Sequence, residues 1–330
     1  MSDYFGRLPV WEKDHADFLR RLRSRRAPLK IVLKVKDDTF FLERWIEHHG
    51  AIVGPQNLVV FDNMSTLPGM GEIYERWDGA LNLIRFGGFH NRLHRVGEFP
   101  ELYSALQASA DHFVFLDSDE YLVHIDADRR VHRGPVLLDL LARTRSGVLP
   151  GSWLENVQGC ENRFWYDIRQ DHVMTGLRSG KPIIASSVPV SGMINHNRQI
   201  DKSCYDRNVV ANFFVLHLKR LSVRQRIATN LHKLQAYNAF KRPMTLDELL
   251  TLDPDDFAAG NKRNWIREIQ TLSAMNDEDV RPCAPLPCAP LPRGQSEIGA
   301  DDTLRFATPE QEEAFANLLS HPWEHVQRAL

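Results

Sequence analysis

The clearest chemical signal in the sequence is a pair of aspartates that directly follows an apolar segment. In Phe115-Leu-Asp-Ser-Asp-Glu-Tyr-Leu122, Asp117 and Asp119 are two positions apart. Side chains at i and i+2 of extended backbone point to the same side, so both carboxylates can face one cation. Carboxylate oxygens suit Mg²⁺ or Mn²⁺, and two of them leave most of an octahedral shell for phosphate oxygens and water. The motif therefore predicts a metal site that holds a diphosphate, and the alternative is a solvated acidic turn.

Acidic residues also end two earlier apolar segments. Residues 31–35 lead into Asp37 and Asp38, and residues 58–61 lead into Asp62. The carboxyl ends of parallel strands share one rim of an open sheet, where ligands bind, so we expect these acids to lie near the aspartate pair. Each acid has an alternative role as a helix cap or turn former, and for Asp38 that role is the favoured interpretation.

Hydrophobic periodicity predicts the elements that must position these residues. Predicted strands lie at 29–35, 58–61, 81–86, 112–116 and 212–218, and predicted helices at 41–49, 70–77, 99–110 and 223–240. Strands and helices alternate, and the strand segments are apolar on both faces. This pattern favours an α/β fold with a mainly parallel central sheet flanked by helices.

Three regions are predicted along the chain. Residues 1–29 form a basic helical segment with arginines between positions 20 and 26, residues 30–240 form the main domain, and residues 241–330 form a helical extension. A near-repeat of Pro-Cys-Ala-Pro-Leu makes residues 281–293 an extended tether, because proline cannot continue a helix. Within the extension, Thr308-Pro-Glu-Gln-Glu-Glu is typical of a helix start.

Composition excludes several classes of protein. The 330 residues include 41 Lys+Arg and 43 Asp+Glu, and the formal net charge is −2. Without a basic excess, no nucleic-acid partner is predicted. No apolar run approaches the about 20 residues of a transmembrane helix, and the first residues lack the pattern of a signal peptide. We therefore expect a cytoplasmic protein.

Three segments, in the right order, resemble motifs of GT-A-fold glycosyltransferases of the family 2-like and family 92-like branch. They are Val35-Lys-Asp-Asp-Thr-Phe-Phe-Leu-Glu-Arg-Trp-Ile-Glu-His-His49, Val59-Val-Phe-Asp-Asn-Met-Ser-Thr66 and the segment that holds the aspartate pair. The resemblance covers residues 30–240 and implies a GT-A catalytic domain that binds a nucleotide-sugar donor, usually a UDP-sugar, with Mn²⁺ or Mg²⁺. By position, it implies that Asp37 and Asp62 lie near the uracil and ribose, and that Asp117 and Asp119 form the metal-binding DxD motif.

Later segments are similar to the same branch and supply further candidates. They are Gly180-Lys-Pro-Ile-Ile184, Asn195-His-Asn197 and Val215-Leu-His-Leu-Lys-Arg-Leu-Ser222. His217 could complete the metal site through a neutral imidazole, and Lys181, Lys219 or Arg220 could neutralise the departing diphosphate. The alternatives are a hydrogen-bonded structural histidine and a solvated helix start.

The catalytic base is expected in residues 151–172, which match no motif of the branch. Inverting transfer needs a carboxylate within hydrogen-bond reach of the acceptor hydroxyl. The candidates are Glu155, Glu161, Asp167 and Asp171. Glu155 is favoured because the strand-like residues before it could aim it inward, although each candidate has an alternative role as a surface carboxylate. A retaining enzyme would need no base at this position.

The leading hypothesis is a metal-dependent, inverting glycosyltransferase of the hexosyltransferase type. Its expected acceptor is a saccharide or glycolipid of a bacterial-type surface polymer, and the arginines at 20–26 would then contact an anionic membrane face. The alternative for these arginines is a solvated helix face. Two other functions stay open: a haloacid-dehalogenase-type, Mg²⁺-dependent phosphatase, in which Asp-x-Asp follows the first strand, and a non-catalytic nucleotide-sugar-binding module. The oligomeric state is not predicted.

Overall fold

The computed structural model describes residues 4–143, 147–167, 180–205, 212–236, 239–275, 285–287 and 293–320. Within these ranges, the strands are β1 (Ala27–Val35), β2 (Leu58–Asp62), β3 (Asn82–Arg85), β4 (Ala110–Leu116), β5 (Glu120–Ile125), β6 (Val131–His132), β7 (Val148–Asn156), β8 (Arg163–Asp167), β9 (Gly180–Ala185), β10 (Phe213–His217), β11 (Arg293–Ile298) and β12 (Leu304–Phe306). The helices are α1 (Tyr4–Arg7), α2 (Trp11–Arg23), α3 (Leu42–Val53), α4 (Pro68–Arg76), α5 (Pro100–Ser109), α6 (Val136–Ala142), α7 (Val223–Ala236), α8 (Leu246–Leu250), α9 (Asn261–Ser273) and α10 (Pro309–Ser320).

The first four strands form a parallel sheet in the order β3-β2-β1-β4. In register, Val35 of β1 lies opposite Asp62 of β2, and Leu33 of β1 lies opposite Leu116 of β4. Every position of β1 except Pro28 is buried, as expected for a strand that helices cover on both faces. The α/β class and the parallel arrangement predicted for these segments are confirmed.

Beyond β4 the sheet becomes mixed. β9 is antiparallel to β4 and β7, whereas β10 is parallel to β7 and antiparallel to β5. These registers place His217 opposite both Glu120 and Glu155. Gly180 allows β9 to approach β7, because its φ is +144° and an added Cβ would lie 1.9 Å from the carbonyl oxygen of Gly151. The mixed strands therefore bring later residues of the chain to the edge where β4 ends.

The N-terminal segment packs its helix α2 into the hydrophobic core. α2 starts at Trp11, and the Trp11 ring contacts Phe61 and Phe99. With Phe18 and Leu22, it gives α2 a buried apolar face. The arginines at 20–26 lie at the amino end of β1 and β4, where Arg26 pairs with Asp111 at 2.6 Å.

The C-terminal region also contributes strands. β11 pairs antiparallel with β8 and with β12, so it extends the central sheet. The expectation of a helical extension is therefore wrong for β11 and β12. The cause is that Arg-Gly-Gln-Ser-Glu-Ile has one apolar residue and gives no hydrophobic alternation. α10 then buries Phe315 and Leu319. Most of the predicted tether and residues 321–330 lie outside the described residues.

Candidate active site

The carboxyl ends of β1, β2 and β4 form one edge of the sheet, which we call the rim. The turn with Asp117 and Asp119 joins β4 to β5 at this rim. Asp38 ties the turn to its surroundings: its Oδ2 accepts from the Ser118 hydroxyl at 2.5 Å, and its Oδ1 accepts from the N–H of Phe41 at 3.2 Å. Asp38 thus forms the turn that precedes α3, one of the two roles favoured from the sequence, and it also holds the acidic turn.

Asp37 and Asp62 hold the loop that follows β2. Asp62 is fully buried, and its Oδ1 accepts from the Ser65 N–H at 2.6 Å while its Oδ2 accepts from the Tyr74 hydroxyl at 3.0 Å. Oδ1 of Asp37 accepts from the N–H groups of residues 66 and 67 at 2.7 and 2.9 Å. Burial raises the pKa of Asp62. The structure therefore places Asp62 beneath the surface with both oxygens bonded to buried groups, and it commits one oxygen of Asp37 to the loop.

We expect Asp62→Ala to destabilise the protein. The substitution leaves the Ser65 N–H and the Tyr74 hydroxyl buried without an acceptor, which costs about 1–3 kcal/mol for each group. Urea unfolding measures the loss, and Asp62→Asn is the matched control because its amide oxygen still accepts. A variant of unchanged stability that binds UDP about tenfold more weakly would instead place Asp62 in the donor site.

Two lysines surround the carboxylate of Asp117. Lys34 of β1 donates to Oδ1, and Lys181 of β9 donates to Oδ2 at 2.7 Å. Lys181 is 0% exposed and also donates to Oδ1 of Asn195 at 2.8 Å. Burial would raise the pKa of Asp117, but the two ammonium groups outweigh it and hold that pKa well below its usual range. Both oxygens of Asp117 are therefore already paired with a cation.

Glu120, which the sequence did not single out, supports the turn from below. Its side chain is fully buried, with Oε1 accepting from the Trp153 indole N–H at 2.7 Å and Oε2 accepting from the Asp117 N–H at 2.8 Å. Nζ of Lys181 lies 3.4 Å from Oε2. Burial raises the pKa of Glu120. Its place directly after the aspartate pair was the only sequence signal, and it did not distinguish a supporting acid from a ligand.

Asp119 and His217 meet beside the turn. Nε2 of His217 lies 3.4 Å from Oδ2 of Asp119, and their side chains are 12% and 19% exposed. The Trp153 ring lies against the imidazole, with ring centroids 4.9 Å apart. Although burial opposes it, the neighbouring His217 lowers the pKa of Asp119. A carboxylate and an imidazole are thus held together where a ligand can reach them.

Of the three predicted metal ligands, Asp119 and His217 face each other directly. Within the described ranges there is no group of three or more His, Cys, Asp or Glu side chains that could hold a metal ion. A magnesium-type ion often takes only one or two protein ligands and completes its shell with substrate phosphates and water. Asp119 and His217 satisfy that requirement, whereas Asp117 has no oxygen without a lysine donor.

Glu155, the favoured base, lies behind His217 rather than in the open site. It is buried, and its Oε1 accepts from Nζ of Lys219 at 2.5 Å and lies 4.0 Å from Nδ1 of His217. Nη1 of Arg220 lies 3.4 Å from Oε2. Burial opposes ionisation, but these neighbours outweigh it and lower the pKa of Glu155. The strand β7 does aim Glu155 inward, but its carboxylate is 1% exposed and lies in an ion-pair cluster.

Of the other three base candidates, one is exposed and two lie partly or wholly outside the described residues. Glu161 is exposed and pairs with Arg44. Asp167 is the last residue of β8, but its side chain lies outside what the structure describes, and so does all of Asp171. Among the described residues, therefore, no candidate has a geometry that supports the role of catalytic base.

We expect Glu155→Gln to act mainly on stability. The amide removes the charge that balances Lys219 and Arg220, and breaking a buried ion pair costs about 3–5 kcal/mol. Thermal unfolding measures the loss, and the double variant Glu155→Gln/Lys219→Met should recover part of it. A folded Glu155→Gln variant that still binds UDP-sugar and metal but transfers about a hundredfold more slowly would return Glu155 to the role of base.

The lysines predicted to neutralise the diphosphate already have carboxylate partners. Lys181 pairs with Asp117, and Lys219 pairs with Glu155. Lys36 and Lys233 are both half-buried, and neither donates a hydrogen bond or forms an ion pair with another residue in the described ranges. These two cations, rather than Lys181 and Lys219, are therefore the uncommitted positive charges near the rim.

Lys233 reaches the rim because α7 crosses over it. Near the start of α7, Nε2 of Gln225 donates to Oδ1 of Asp38 at 3.3 Å. Eight residues later, Lys233 interacts electrostatically with Asp119 and Asp117. Burial, followed by the charge of Arg226, lowers the pKa of Lys233 to about 8. No motif in the sequence links this lysine to the aspartates, since only the path of α7 brings them together.

Comparison with known proteins gives likenesses of structure only. No protein-family model matches the chain, and no curated protein matches it. TarS 1–349 of S. aureus in complex with UDP is 12% identical over 74% of this chain and 91% of that chain, with a TM-score of 0.32. The mannosyltransferase PcManGT of Pyrobaculum calidifontis, in complex with GDP-Man and Mn²⁺, is 13% identical over 78% and 76%, with a TM-score of 0.32.

A third similar structure is glucosyl-3-phosphoglycerate synthase of Mycobacterium tuberculosis in complex with Mn²⁺, UDP and glucosyl-3-phosphoglycerate. It is 16% identical over 54% of this chain and 65% of that chain, with a TM-score of 0.27. At these values the likeness concerns the fold, and no statement about the chemistry of this chain rests on it.

Proposed function

We propose that the protein is a glycosyltransferase that takes a sugar from a nucleotide-sugar donor, a UDP-sugar in the first instance. The observation that carries this proposal is the pair of Asp119 and His217, with Oδ2 and Nε2 3.4 Å apart at the carboxyl edge of a parallel sheet. The order of the GT-A-like motifs along the chain supports it. The reaction class is sugar transfer of the hexosyltransferase type, with inversion as the working assumption.

In this proposal, Asp119 and His217 hold Mn²⁺ or Mg²⁺ together with the donor diphosphate. The bound cation would stabilise the negative charge that develops on the leaving diphosphate. Lys233 and Lys36 add positive charge on the α7 side of the same cleft. Trp153 limits the rotation of the His217 ring by packing against it. The donor is thus oriented by charges on both sides of its diphosphate.

A saccharide or glycolipid acceptor remains the proposed partner. Two exposed apolar side chains beside the rim support an acceptor with an apolar part: Phe40 is 40% exposed and Leu67 is 45% exposed. No helix in the described part of the chain has the length and apolar character that a membrane crossing requires. The proposed setting is the synthesis of a surface polymer by an enzyme in the cytoplasm or at the inner face of the membrane.

A panel of substrates tests the proposal. The protein is incubated with UDP-sugars and Mn²⁺, with the same mixture plus EDTA, and with p-nitrophenyl phosphate. Slow, EDTA-sensitive hydrolysis of one UDP-sugar is the expected result. Phosphate release from p-nitrophenyl phosphate would support the phosphatase alternative, although Asp117 has no unpaired oxygen to act as nucleophile. Binding of UDP without turnover of any donor would favour the non-catalytic module.

A further inference from the structure

We propose that four side chains on three elements, Lys36, His90, His232 and Lys233, bind the diphosphate of a nucleotide without the help of a metal ion; we call them the basic cluster. The inference deepens the proposed function and rests on its nucleotide-sugar donor. It adds two histidines that no motif in the sequence singles out. Its basis is that all four side chains are half-buried and that none has a hydrogen-bond partner among the described residues.

The two lysines of the cluster differ from the other lysines that the protein shields from water. Those others, where their side chains are described, each donate a hydrogen bond to a carboxylate or a backbone carbonyl: Lys30, Lys34, Lys181, Lys219 and Lys262. Partial burial removes water from an ammonium group, and a partner normally offsets that cost. For Lys36 and Lys233, an anionic group of a ligand would be that partner.

The two histidines of the cluster are neutral hydrogen-bond donors. Burial, and then the charge of Lys34, holds the pKa of His90 well below its usual range. Burial, and then the charge of Lys36, lowers the pKa of His232. Nδ1 of His90 is completely buried without a partner in the described ranges. Near pH 7 each ring therefore has one N–H that a phosphate oxygen can accept.

The four side chains act on one another although they come from different parts of the fold. Lys36 follows β1, His90 lies in the segment after β3, and α7 carries the other two. His90 interacts electrostatically with Lys36 and His232, and His232 interacts with Lys36 and Lys233. The folded chain thus brings these basic groups to one place at the rim.

The carboxylates that face the cluster already have donors of their own. The other charged groups that act on the two histidines are Lys34, Asp37 and Asp117. Asp117 accepts from Lys34 and Lys181, and Oδ1 of Asp37 accepts from the N–H groups of residues 66 and 67. The positive charge of the cluster is therefore left for a ligand.

The elements that carry the cluster are fixed before any ligand binds. Next to Lys36, the backbone of Asp37 is left-handed, with a φ of +49°, and its N–H donates to Oγ of Ser65 at 2.9 Å. Such strained residues persist where surrounding contacts hold them, and they cluster at ligand sites. Nδ2 of Asn63 donates to the carbonyl groups of residues 86 and 88, both at 3.1 Å, and anchors the segment that leads to His90. Fixed donors lose little entropy when they bind an anion.

A diphosphate matches the basic cluster better than a carboxylate does. Its oxygens lie on two phosphorus atoms and can accept from four donors at once, whereas a carboxylate has two oxygens. We therefore expect UDP and inorganic pyrophosphate to bind in the presence of EDTA. Uridine should bind about tenfold more weakly than UDP, or weaker still, because it lacks the phosphates.

The first test is calorimetry in EDTA with UDP, pyrophosphate and uridine. His90→Phe and His232→Phe should each weaken UDP binding about tenfold, whereas His90→Gln and His232→Gln should weaken it less than about threefold because the amide still donates. His132→Phe is the matched control, since His132 is half-buried and pairs with the end of β5 away from the acidic turn. Equal affinity for UDP and uridine in the wild type would overturn the proposal, and so would phenylalanine variants that bind UDP like the wild type.

The second test replaces the first for any phenylalanine variant that does not fold. Carbon–proton NMR spectra of the wild type with labelled histidines are recorded in EDTA while UDP is added, and the two glutamine variants assign the signals. We expect the ring signals of His90 and His232 to shift, and that of His132 to stay. Unchanged signals of both histidines would overturn the proposal. If both shift but no UDP-sugar is turned over with Mn²⁺, the proposed function fails while the basic cluster stands.

Discussion

Replacement of Asp119 by alanine is expected to reduce sugar transfer by about a hundredfold to a thousandfold, because the proposed metal site would lose a carboxylate ligand and the leaving diphosphate would lose the charge that stabilises it. Oδ2 of Asp119 lies 3.4 Å from Nε2 of His217, and the described residues contain no group of three or more potential ligands that could hold the ion instead. Initial rates with a saturating donor and Mn²⁺ measure the effect, and calorimetry with UDP and Mn²⁺ shows whether binding is lost with it.

The matched control for this prediction is Asp128→Ala, since Asp128 is exposed and remote in the fold from the acidic turn. Its transfer rate should stay within about twofold of the wild type. If a folded Asp119→Ala variant transfers sugar at the wild-type rate, the hypothesis of a metal site at this position is wrong. Equal UDP affinity of the wild type with and without EDTA would count against metal dependence itself.

Lys233→Met should produce the second largest effect, a loss of about tenfold to a hundredfold in kcat/KM for the donor. The half-buried ammonium has no ion-pair or hydrogen-bond partner in the described ranges, and it lies within electrostatic range of Asp119 and Asp117. A diphosphate bound at the rim would therefore meet a positive charge that no carboxylate has already balanced. Steady-state kinetics at varied donor concentration measures the loss, and Lys241→Met on the exposed surface is the control.

The pKa of Lys233 predicts how kcat/KM for the donor depends on pH. A pKa of about 8 means that Lys233 is charged below pH 8 and neutral above it. Its neighbours from other elements are Asp117, Asp119 and Lys219, and Arg226 is its neighbour on α7. In the wild type, kcat/KM should fall as the pH rises past about 8, whereas Lys233→Arg should keep its activity there because arginine stays charged. If kcat/KM of Lys233→Arg falls by the same amount at alkaline pH, the loss is due to the titration of another group.

The sequence predicted the framework of the fold because its signals are local. Each of the first four strands is built around an apolar segment, and each of the first three is followed by a helix with its own periodicity. Parallel pairing of such strands then brings their acidic ends to one rim, as the register of Val35 with Asp62 requires. β11 was missed because pairing with β8, rather than its own composition, makes it a strand.

The partners of the charged residues could not be predicted in the same way. Lys34 stands inside an apolar strand, and only the sheet order shows that its ammonium meets Asp117. The side of β7 that carries Glu155 depends on its register with β10, which determines that the carboxylate meets Lys219. Ion pairs between distant segments decide which carboxylates are free to bind a ligand, and a single sequence does not contain that information.

The arginines at 20–26 lie at the amino end of β1, and the rim lies at its carboxyl end. The nine residues of β1 separate them, a distance of about 26 Å at the rise of a strand. A membrane held by these arginines would therefore face the back of the enzyme, and the donor cleft would open toward the aqueous phase. In that orientation the enzyme would reach the growing end of a long saccharide far from the bilayer, whereas a glycolipid acceptor that contacts Phe40 and Leu67 would require the rim, and not these arginines, to face the membrane.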